Sequence, residues 1–91
     1  MLSDDQYILN FRQQVGGNLR RLRRANGMSQ SKLAERAGLN RSYLSMVENG
    51  RRNISLDNLV SLALALKVEP IELFSHVEAT TKPVEAAKAA E

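Results

Sequence analysis

Residues Ser29 to Gly50 read SQSKLAERAGLNRSYLSMVENG and contain two short helical patterns that meet at a glycine. Ser29 and Asn40 are residue types that begin helices, because their side-chain oxygens accept hydrogen bonds from free backbone N–H groups. Gly38 has no Cβ, so it adopts positive φ where the chain reverses direction. We therefore predict one helix between Ser29 and Gly38 and a second from residue 41 to about residue 49. The apolar side chains expected to lock the angle between these helices are Leu33, Ala37, Leu39, Leu44 and Val47.

A longer helical pattern precedes this region. Four apolar residues recur at spacings of four, four and three, which places them on one face of a helix. Tyr7 and Ile8 are a possible extension of this helix toward the N-terminus, and Gly27 is expected to end it. Gly16 and Gly17 weaken a helix, so we expect them to serve either close packing against a neighbour or a kink. The four apolar residues are Phe11, Val15, Leu19 and Leu22.

Two further helical patterns follow. Ser55 is expected to begin a fourth helix with a buried apolar stripe, and Pro70 suits the first turn of a fifth. The stripe comprises Leu56, Leu59, Leu62, Ala63 and Leu66, and the fifth helix is expected to bury Ile71, Leu73 and Phe74. No segment shows the alternation of a strand. The prediction is an all-α fold, a compact domain of five helices.

The chain length of 91 residues suits one domain. We expect residues 1–10 to be an N-terminal extension, residues 11–76 to form the domain, and residues 77–91 to be a flexible tail. The tail is mostly Ala, Glu, Lys and Thr, and it has little to bury.

Composition excludes several classes of protein. The chain has no cysteine, which removes disulfides, thiolate zinc sites and cysteine nucleophiles. It has no apolar run near the roughly 20 residues that span a bilayer, and its first residues lack the basic charge of a signal peptide. We therefore expect a cytoplasmic protein. The net charge of the chain is only +3, but the segment from Phe11 to Leu56 contains ten basic and two acidic residues. This uneven distribution of charge favours a polyanionic partner.

The region from Leu19 to Phe74 resembles a known family. The motifs that carry the resemblance are Leu19-Arg20, Leu22-Arg23, Gly27-Met28-Ser29-Gln30, Leu33-Ala34, Gly38, Leu44-Ser45, Val47-Glu48-Asn49-Gly50 and Leu73-Phe74. Together they resemble the Cro/C1-type (XRE-like) helix-turn-helix family of phage repressors and small bacterial regulators. The segments 40–43 and 51–53 are also similar to controller proteins of restriction–modification systems.

The resemblance implies a lambda-repressor-like domain that regulates transcription, as a repressor, an activator or both. It also implies that a homodimer binds double-stranded DNA, at a pseudo-palindromic operator, and that the protein is nucleoid-associated. A second hypothesis is an antitoxin or other protein-interaction module that binds DNA mainly in complex with a partner. An enzyme is not expected, because no catalytic or metal-ligating constellation is present. No cofactor or small-molecule ligand is evident either.

The helix that begins near Arg41 is the candidate reader of DNA bases. Leu44, Val47 and Glu48 face inward by their angular positions, so a strip on the opposite side faces outward. Arg41 suits the O6 and N7 atoms of guanine, and Met46 suits a thymine methyl group. Tyr43 has two open interpretations, a ring at the edge of the core or a contact with DNA. The predicted base-reading residues are Arg41, Ser42, Ser45 and Met46, with Tyr43 as a further candidate.

Residues around this strip are candidates for phosphate contacts. Gln30 resembles the family residue that bonds phosphate at a helix N-terminus, where free N–H groups also favour an anion. Arg51 and Arg52 follow the third helix, and the alternative is that they belong to a solvated charge cluster. The predicted phosphate contacts are Ser29, Gln30, Asn40, Asn49, Arg51 and Arg52.

Arg23 and Glu48 occupy positions at which the resembling proteins carry a paired arginine and glutamate. The resemblance implies a partly buried ion pair that links the first helix to the third and sets the angle of the third helix.

The fourth helix carries more apolar surface than one core needs. Val60 and Leu64, spaced four residues apart, form a second apolar stripe, and Ile71 adjoins it. Exposed apolar surface usually marks an interface, so we predict a homodimer through these three residues. The alternative is that the fifth helix or the tail covers this stripe within a monomer.

Overall fold

The computed structural model describes residues 2–75, which form four α-helices and one 3₁₀ helix. The α-helices are α1 (Asp4–Ala25), α2 (Gln30–Ala37), α3 (Arg41–Glu48) and α4 (Leu56–Leu66), and the 3₁₀ helix spans Pro70–Phe74. No strand occurs in this part of the chain. The all-α prediction is confirmed. The tail predicted for residues 77–91 lies outside the described residues.

The prediction of a fifth α-helix is wrong. Glu72 donates its backbone N–H to the carbonyl of Glu69, and Ser75 donates to the carbonyl of Glu72, which is the three-residue spacing of a 3₁₀ helix. The Glu72 carboxylate also accepts the backbone N–H of Glu69 at 2.7 Å. Because Ser75 is already extended, the segment is too short to settle into α-helical bonding.

Helix α1 begins at Asp4, before the predicted starts at Phe11 or Tyr7. Ser3 caps it with a reciprocal pair of bonds, in which the Ser3 hydroxyl accepts the N–H of Gln6 at 3.2 Å and the Gln6 amide oxygen accepts the N–H of Ser3 at 3.0 Å. Asp4 and Asp5 lie in the first turn, where negative charge favours a helix. Residues 4–10 are thus continuous with α1.

The bounds of α2 and α3 follow from their capping residues. The Ser29 hydroxyl accepts the N–H of Lys32 at 3.0 Å, and the side-chain oxygen of Asn40 accepts the N–H groups of Ser42 and Tyr43 at 2.8 and 3.2 Å. Gly38 ends α2 with φ of 70°, as its position at the corner predicts.

The core lies where the helices meet and draws on every element. Its fully buried leucines come from α1, α2, α3, α4 and the 3₁₀ helix: Leu19, Leu33, Leu44, Leu62, Leu66 and Leu73. Burial of each such side chain stabilises the fold by roughly 1.5–3 kcal/mol, so packing in this core supplies most of the free energy that holds the short helices in place. The orientation of α3 is therefore a product of the whole domain.

Three residues predicted to be buried are exposed. Leu56 is 77% exposed because it lies four residues before Val60 and so shares the outer face of α4. Ile71 is 76% exposed because a 3₁₀ helix turns about 120° per residue, and with Leu73 inward Ile71 points elsewhere. Phe74 is partly exposed beside Phe11, with 6.1 Å between their ring centroids.

Gly16 allows α1 to cross close to the end of α3. A Cβ at Gly16 would lie 2.4 Å from the carbonyl oxygen of Val47 and 2.6 Å from that of Glu48, whereas a Cβ at Gly17 would meet nothing within 4 Å. Of the two roles expected for this glycine pair, the structure shows close packing against a neighbouring helix at Gly16.

Candidate nucleic-acid interface

Helix α3 presents one open side and one buried side. Leu44, Val47 and Glu48 are buried. On the other side Arg41 and Ser42 are exposed, while Ser45 and Met46 are half-buried. The four outer residues are defined here as the outer strip. A helix of this diameter fits the major groove of B-DNA, and the outer strip is the side that is free to enter it.

The carboxylate of Glu48 joins three helices below the outer strip. It accepts two bonds from Arg23 of α1, from Nε at 2.7 Å and from Nη2 at 3.0 Å. Gln30 of α2 donates its amide to the same carboxylate at 3.1 Å, and Arg20 Nε lies 3.6 Å away. Arg23 also donates to the carbonyl of Met28 at 2.9 Å, which ties down the turn before α2. The structure thus places Arg23 and Glu48 in one buried pair.

Both members of this pair are charged. Burial alone disfavours the carboxylate and raises the pKa of Glu48, but the hydrogen bonds from Arg23 and Gln30, with the charges of Arg23 and Arg20, bring that pKa below its ordinary value. The hydrogen bond to Glu48 raises the pKa of Arg23, against the opposing effect of burial. A charged, bidentate pair has a defined geometry, so it restricts how α1 and α3 are placed relative to each other.

Gln30 and Asn49 are held by contacts within the protein. The Gln30 amide is bonded to Glu48, as described above. The Asn49 side chain accepts from Arg20 Nη2 at 2.8 Å and donates to the carbonyl of Ser45 at 2.9 Å. Arg20 donates as well to the carbonyl of Glu48 at 3.2 Å. Both side chains are therefore engaged within the protein, and the phosphate contacts predicted for Gln30 and Asn49 stay predictions.

Sequence reasoning did not single out Arg20. A signal was present, because Arg20 lies three residues before Arg23 and so shares its face of α1. From the sequence, the other arginines of this segment indicate only a basic charge, and the resemblance implies a partner for Arg23 alone.

Ser29 and Asn40 act as helix caps at the starts of α2 and α3. Each cap side chain uses its oxygen on backbone N–H groups, and both residues are exposed. Their predicted phosphate contacts stay predictions.

Tyr43 packs at the edge of the core and supports the segment after α3. Its ring is half-buried against the core. Its hydroxyl donates to the carbonyl of Asn53 at 3.2 Å and accepts a hydrogen bond from the Asn58 amide at 3.2 Å. The guanidinium carbon of Arg52 lies 5.6 Å from the ring centroid, within the range of a cation–π contact. Of the two interpretations of Tyr43, the structure shows the core-edge contacts. Arg51 and Arg52 are both exposed.

An apolar patch lies on the outer face of α4 and on the 3₁₀ helix. It consists of Leu56, Val60, Leu64 and Ile71, which are 77%, 41%, 73% and 76% exposed. Three of these are the residues predicted for a dimer interface, and Leu56 extends the patch by one turn. We refer to these four residues as the apolar patch.

Within residues 2–75, no three His, Cys, Asp or Glu side chains are grouped so that they could hold a metal ion. None of the helices in that range combines the length and the apolar character that a bilayer crossing requires.

Comparison with known proteins assigns the family. The family model described as Helix-turn-helix matches residues 19–73. The HTH-type transcriptional regulator y4dJ of Sinorhizobium fredii is 40% identical over 72 residues, 79% of this chain and 94% of that protein. Control protein C.BamHI of Bacillus amyloliquefaciens is 43% identical over 65 residues, 70% of this chain and 80% of that protein. The crystal structure of the restriction-modification controller protein C.AhdI from Aeromonas hydrophila matches with a TM-score of 0.69 at 52% identity, covering 69% of this chain and 96% of that chain.

These relatives are named as regulators and controller proteins, not as enzymes. The family match covers both α2 and α3, which carry the outer strip and the Glu48 contacts. The chain therefore belongs to the helix-turn-helix family, in the XRE-like group of DNA-binding transcriptional regulators that its sequence resembles.

Proposed function

We propose that this regulator binds a pseudo-palindromic operator as a homodimer and inserts α3 of each protomer into the major groove of one half-site. The observation that carries this proposal is the outer strip, which lies open opposite the buried residues Leu44, Val47 and Glu48. Direct readout of base edges requires side chains that extend from a rigidly seated helix, and Arg41 and Ser42 of this strip are exposed in the first turn of α3.

Within the outer strip, Arg41 is the proposed principal base reader. It is exposed in the first turn of α3, and the N-terminal residues of a recognition helix are those that reach base edges. Its planar guanidinium matches the O6 and N7 acceptors of guanine. Ser42 and Ser45 suit short hydrogen bonds to bases or phosphates, and Met46 suits contact with a thymine methyl group.

Phosphate contacts are proposed on both sides of the strip. Gln30 lies at the N-terminus of α2, where the free N–H groups also favour an anion. Beyond α3, Asn49, Arg51 and Arg52 form the second set. Tyr43 supports this set, because its hydroxyl and ring hold Asn53 and Arg52. Such contacts position a protein on the duplex and make its affinity fall with salt.

The dimer is proposed to form through the apolar patch. Two recognition helices that read a symmetric site must lie about one turn of DNA apart, roughly 34 Å. One protomer with a single short helix offers few contacts, and a second protomer doubles them. Control proteins named among the relatives, C.BamHI, C.MunI and C.SmaI, favour a role as a restriction–modification controller that acts in the cytoplasm, at the nucleoid.

Selection of bound sequences from random duplex DNA tests the proposal. We expect an enriched site with two inverted half-sites. The Arg41→Ala variant is expected to lose about 1–3 kcal/mol of discrimination at one position in each half-site. Arg36→Ala is the matched control, because Arg36 is an exposed arginine on α2 outside the strip.

Two results would contradict this proposal. If no sequence were enriched, the chain would not read DNA by itself, and DNA binding restored by a co-purifying protein would favour the interaction-module hypothesis. If Arg41→Ala weakened binding equally on selected and scrambled DNA, Arg41 would be a phosphate contact.

A further inference from the structure

A partly enclosed cavity is lined by described residues that do not include those of the outer strip. Its volume is about 180 Å³, and its walls come from α1, the end of α3, the segment 52–54, α4 and the 3₁₀ helix. Apolar side chains dominate the lining, among them Val15, Val47, Leu59 and Phe74. An apolar cavity of about 150 Å³ holds one benzene molecule, so this volume suits a single aromatic ring with a small substituent.

Arg12 makes this cavity unusual. It lines the wall, and its Nε is the one side-chain nitrogen or oxygen that is both buried and without a hydrogen-bond partner among residues 2–75. A buried donor that has lost water and gained no partner costs free energy, more so on a charged group. The fold thus keeps the Arg12 Nε donor at an apolar cavity with no acceptor for it among residues 2–75.

Within residues 2–75, the charges that line the cavity all have one sign. Arg12 and Arg52 are the charged lining residues of that range, and none of its carboxylates lines the cavity. Arg12 also lines an adjoining depression with Tyr7 and Ile8, and the described residues that line it include no acid. An occupant that complements this surface carries a negative charge on an apolar body.

We propose that this cavity binds a small aromatic carboxylate. The carboxylate accepts hydrogen bonds from the Arg12 guanidinium, in the side-on geometry that uses Nε and a terminal nitrogen. The ring lies among Val15, Val47 and Leu59. The site shares Arg52 with the proposed phosphate contacts, but its test uses protein without DNA, so it fails or survives independently of the proposed function.

Titration of the full chain with benzoate, followed by NMR of the methyl groups, tests this site. We expect saturable shifts of the Val15, Val47 and Leu59 methyl signals, with intermolecular NOEs to the ring protons. Benzylamine has the same ring and the opposite charge, and it is expected to cause no saturable shift.

The Arg12→Met variant separates ligand binding from a structural role of Arg12. It keeps an apolar stem and removes the donors, so the fold is expected to retain or gain stability while benzoate affinity falls at least about tenfold, the effect of losing a hydrogen bond to a charged group. Arg24→Met is the matched control, because Arg24 is an exposed arginine near the end of the same helix.

Three outcomes would overturn the proposal. A benzoate titration that left these methyl signals unshifted, or shifted them without saturation, would show that the cavity does not bind this ligand. Equal binding of benzylamine would show that charge does not select the ligand. NOEs from residues 76–91 or from a second protomer to Val15 and Leu59 would show that the cavity is filled by the protein itself.

Discussion

At the scale of single residues, Glu48 has the densest set of polar contacts in the motif. One carboxylate receives Arg23 from α1 and Gln30 from α2, with Arg20 close by. The Glu48 side chain has no solvent exposure, and that of Arg23 is 9% exposed. Buried charges are tolerated when they are paired and hydrogen-bonded, so removal of either partner would leave the other as a costly unpaired charge.

Glu48→Gln is expected to destabilise the fold by roughly 3–5 kcal/mol, because it leaves the Arg23 charge buried without a counter-charge. Urea unfolding followed by circular dichroism measures this change. Glu35→Gln is the control, since Glu35 is exposed and its ion pair with Lys32 spans 3.9 Å at the surface. Equal effects of the two substitutions would contradict a buried pair.

The same pair predicts how stability depends on pH. The pKa of Glu48 is lower in the folded state than in the unfolded chain. The pair therefore contributes its full stability above the ordinary pKa of a glutamate, about 4.3, and loses it as the pH falls through the lower folded value. The difference in unfolding free energy between wild type and Glu48→Gln should shrink over that range. A constant difference down to acid pH would count against the assignment.

Sequence reasoning reached part of this network. Arg23 and Glu48 were expected to pair because the resembling proteins carry the same residue types at these positions. Gln30 and Arg20 were not expected to join them, because which side chains reach one carboxylate depends on the angles between three helices. Gln30 was predicted to contact phosphate, and in the structure its amide reaches Glu48.

At the scale of elements, local chemistry made the helix bounds of the motif predictable. Ser29, Gly38 and Asn40 act through hydrogen bonds and backbone angles within a few residues, so sequence alone carries their effect. The errors came from tertiary context. Leu56 and Ile71 are apolar and lie in or beside helical patterns, but which faces of α4 and the 3₁₀ helix are covered depends on what packs against them.

The crossing of α1 over α3 gives a paired prediction. Gly16→Ala is expected to destabilise the fold by roughly 1–3 kcal/mol, because the added methyl group would lie 2.4 Å from the Val47 carbonyl oxygen and force the helices apart. Gly17→Ala has no such contact and is expected to gain up to about 1 kcal/mol from helix propensity. Thermal unfolding of the two variants compares them directly. Similar stabilities of the two variants would show that α1 and α3 pack less closely at Gly16 than the structure indicates.

At the scale of the whole molecule, the fold leaves a large apolar surface uncovered within residues 2–75. Small domains bury a limited core, and many gain stability by assembling. The sequence indicated Val60 and Leu64 as surplus apolar residues because the inward face of α4 was already filled, and Ile71 was expected to adjoin them. It did not indicate Leu56, which was placed on that inward face.

Leu64→Glu is expected to give a folded monomer, because it places a charge at the centre of the apolar patch. Sedimentation velocity measures the mass, and circular dichroism confirms the fold. Lys67→Glu is the control, since Lys67 is exposed just beyond α4. A Leu64→Glu protein that sediments as a dimer, like the control, would place the interface on another surface.

Because the Glu48 carboxylate contacts side chains of α1 as well as α2, the helix-turn-helix motif depends on residues outside it. Residues 29–50 hold the glutamate and Gln30, but Arg23 and Arg20 belong to α1. Helices α2 and α3 have eight residues each, below the roughly 12–15 at which isolated helices become even marginal in water. A peptide cut to the motif, or a graft of it onto a foreign scaffold, would carry the outer strip without the α1 side chains that contact Glu48. Transplanting the proposed base specificity therefore means exchanging the outer-strip side chains in an intact host domain.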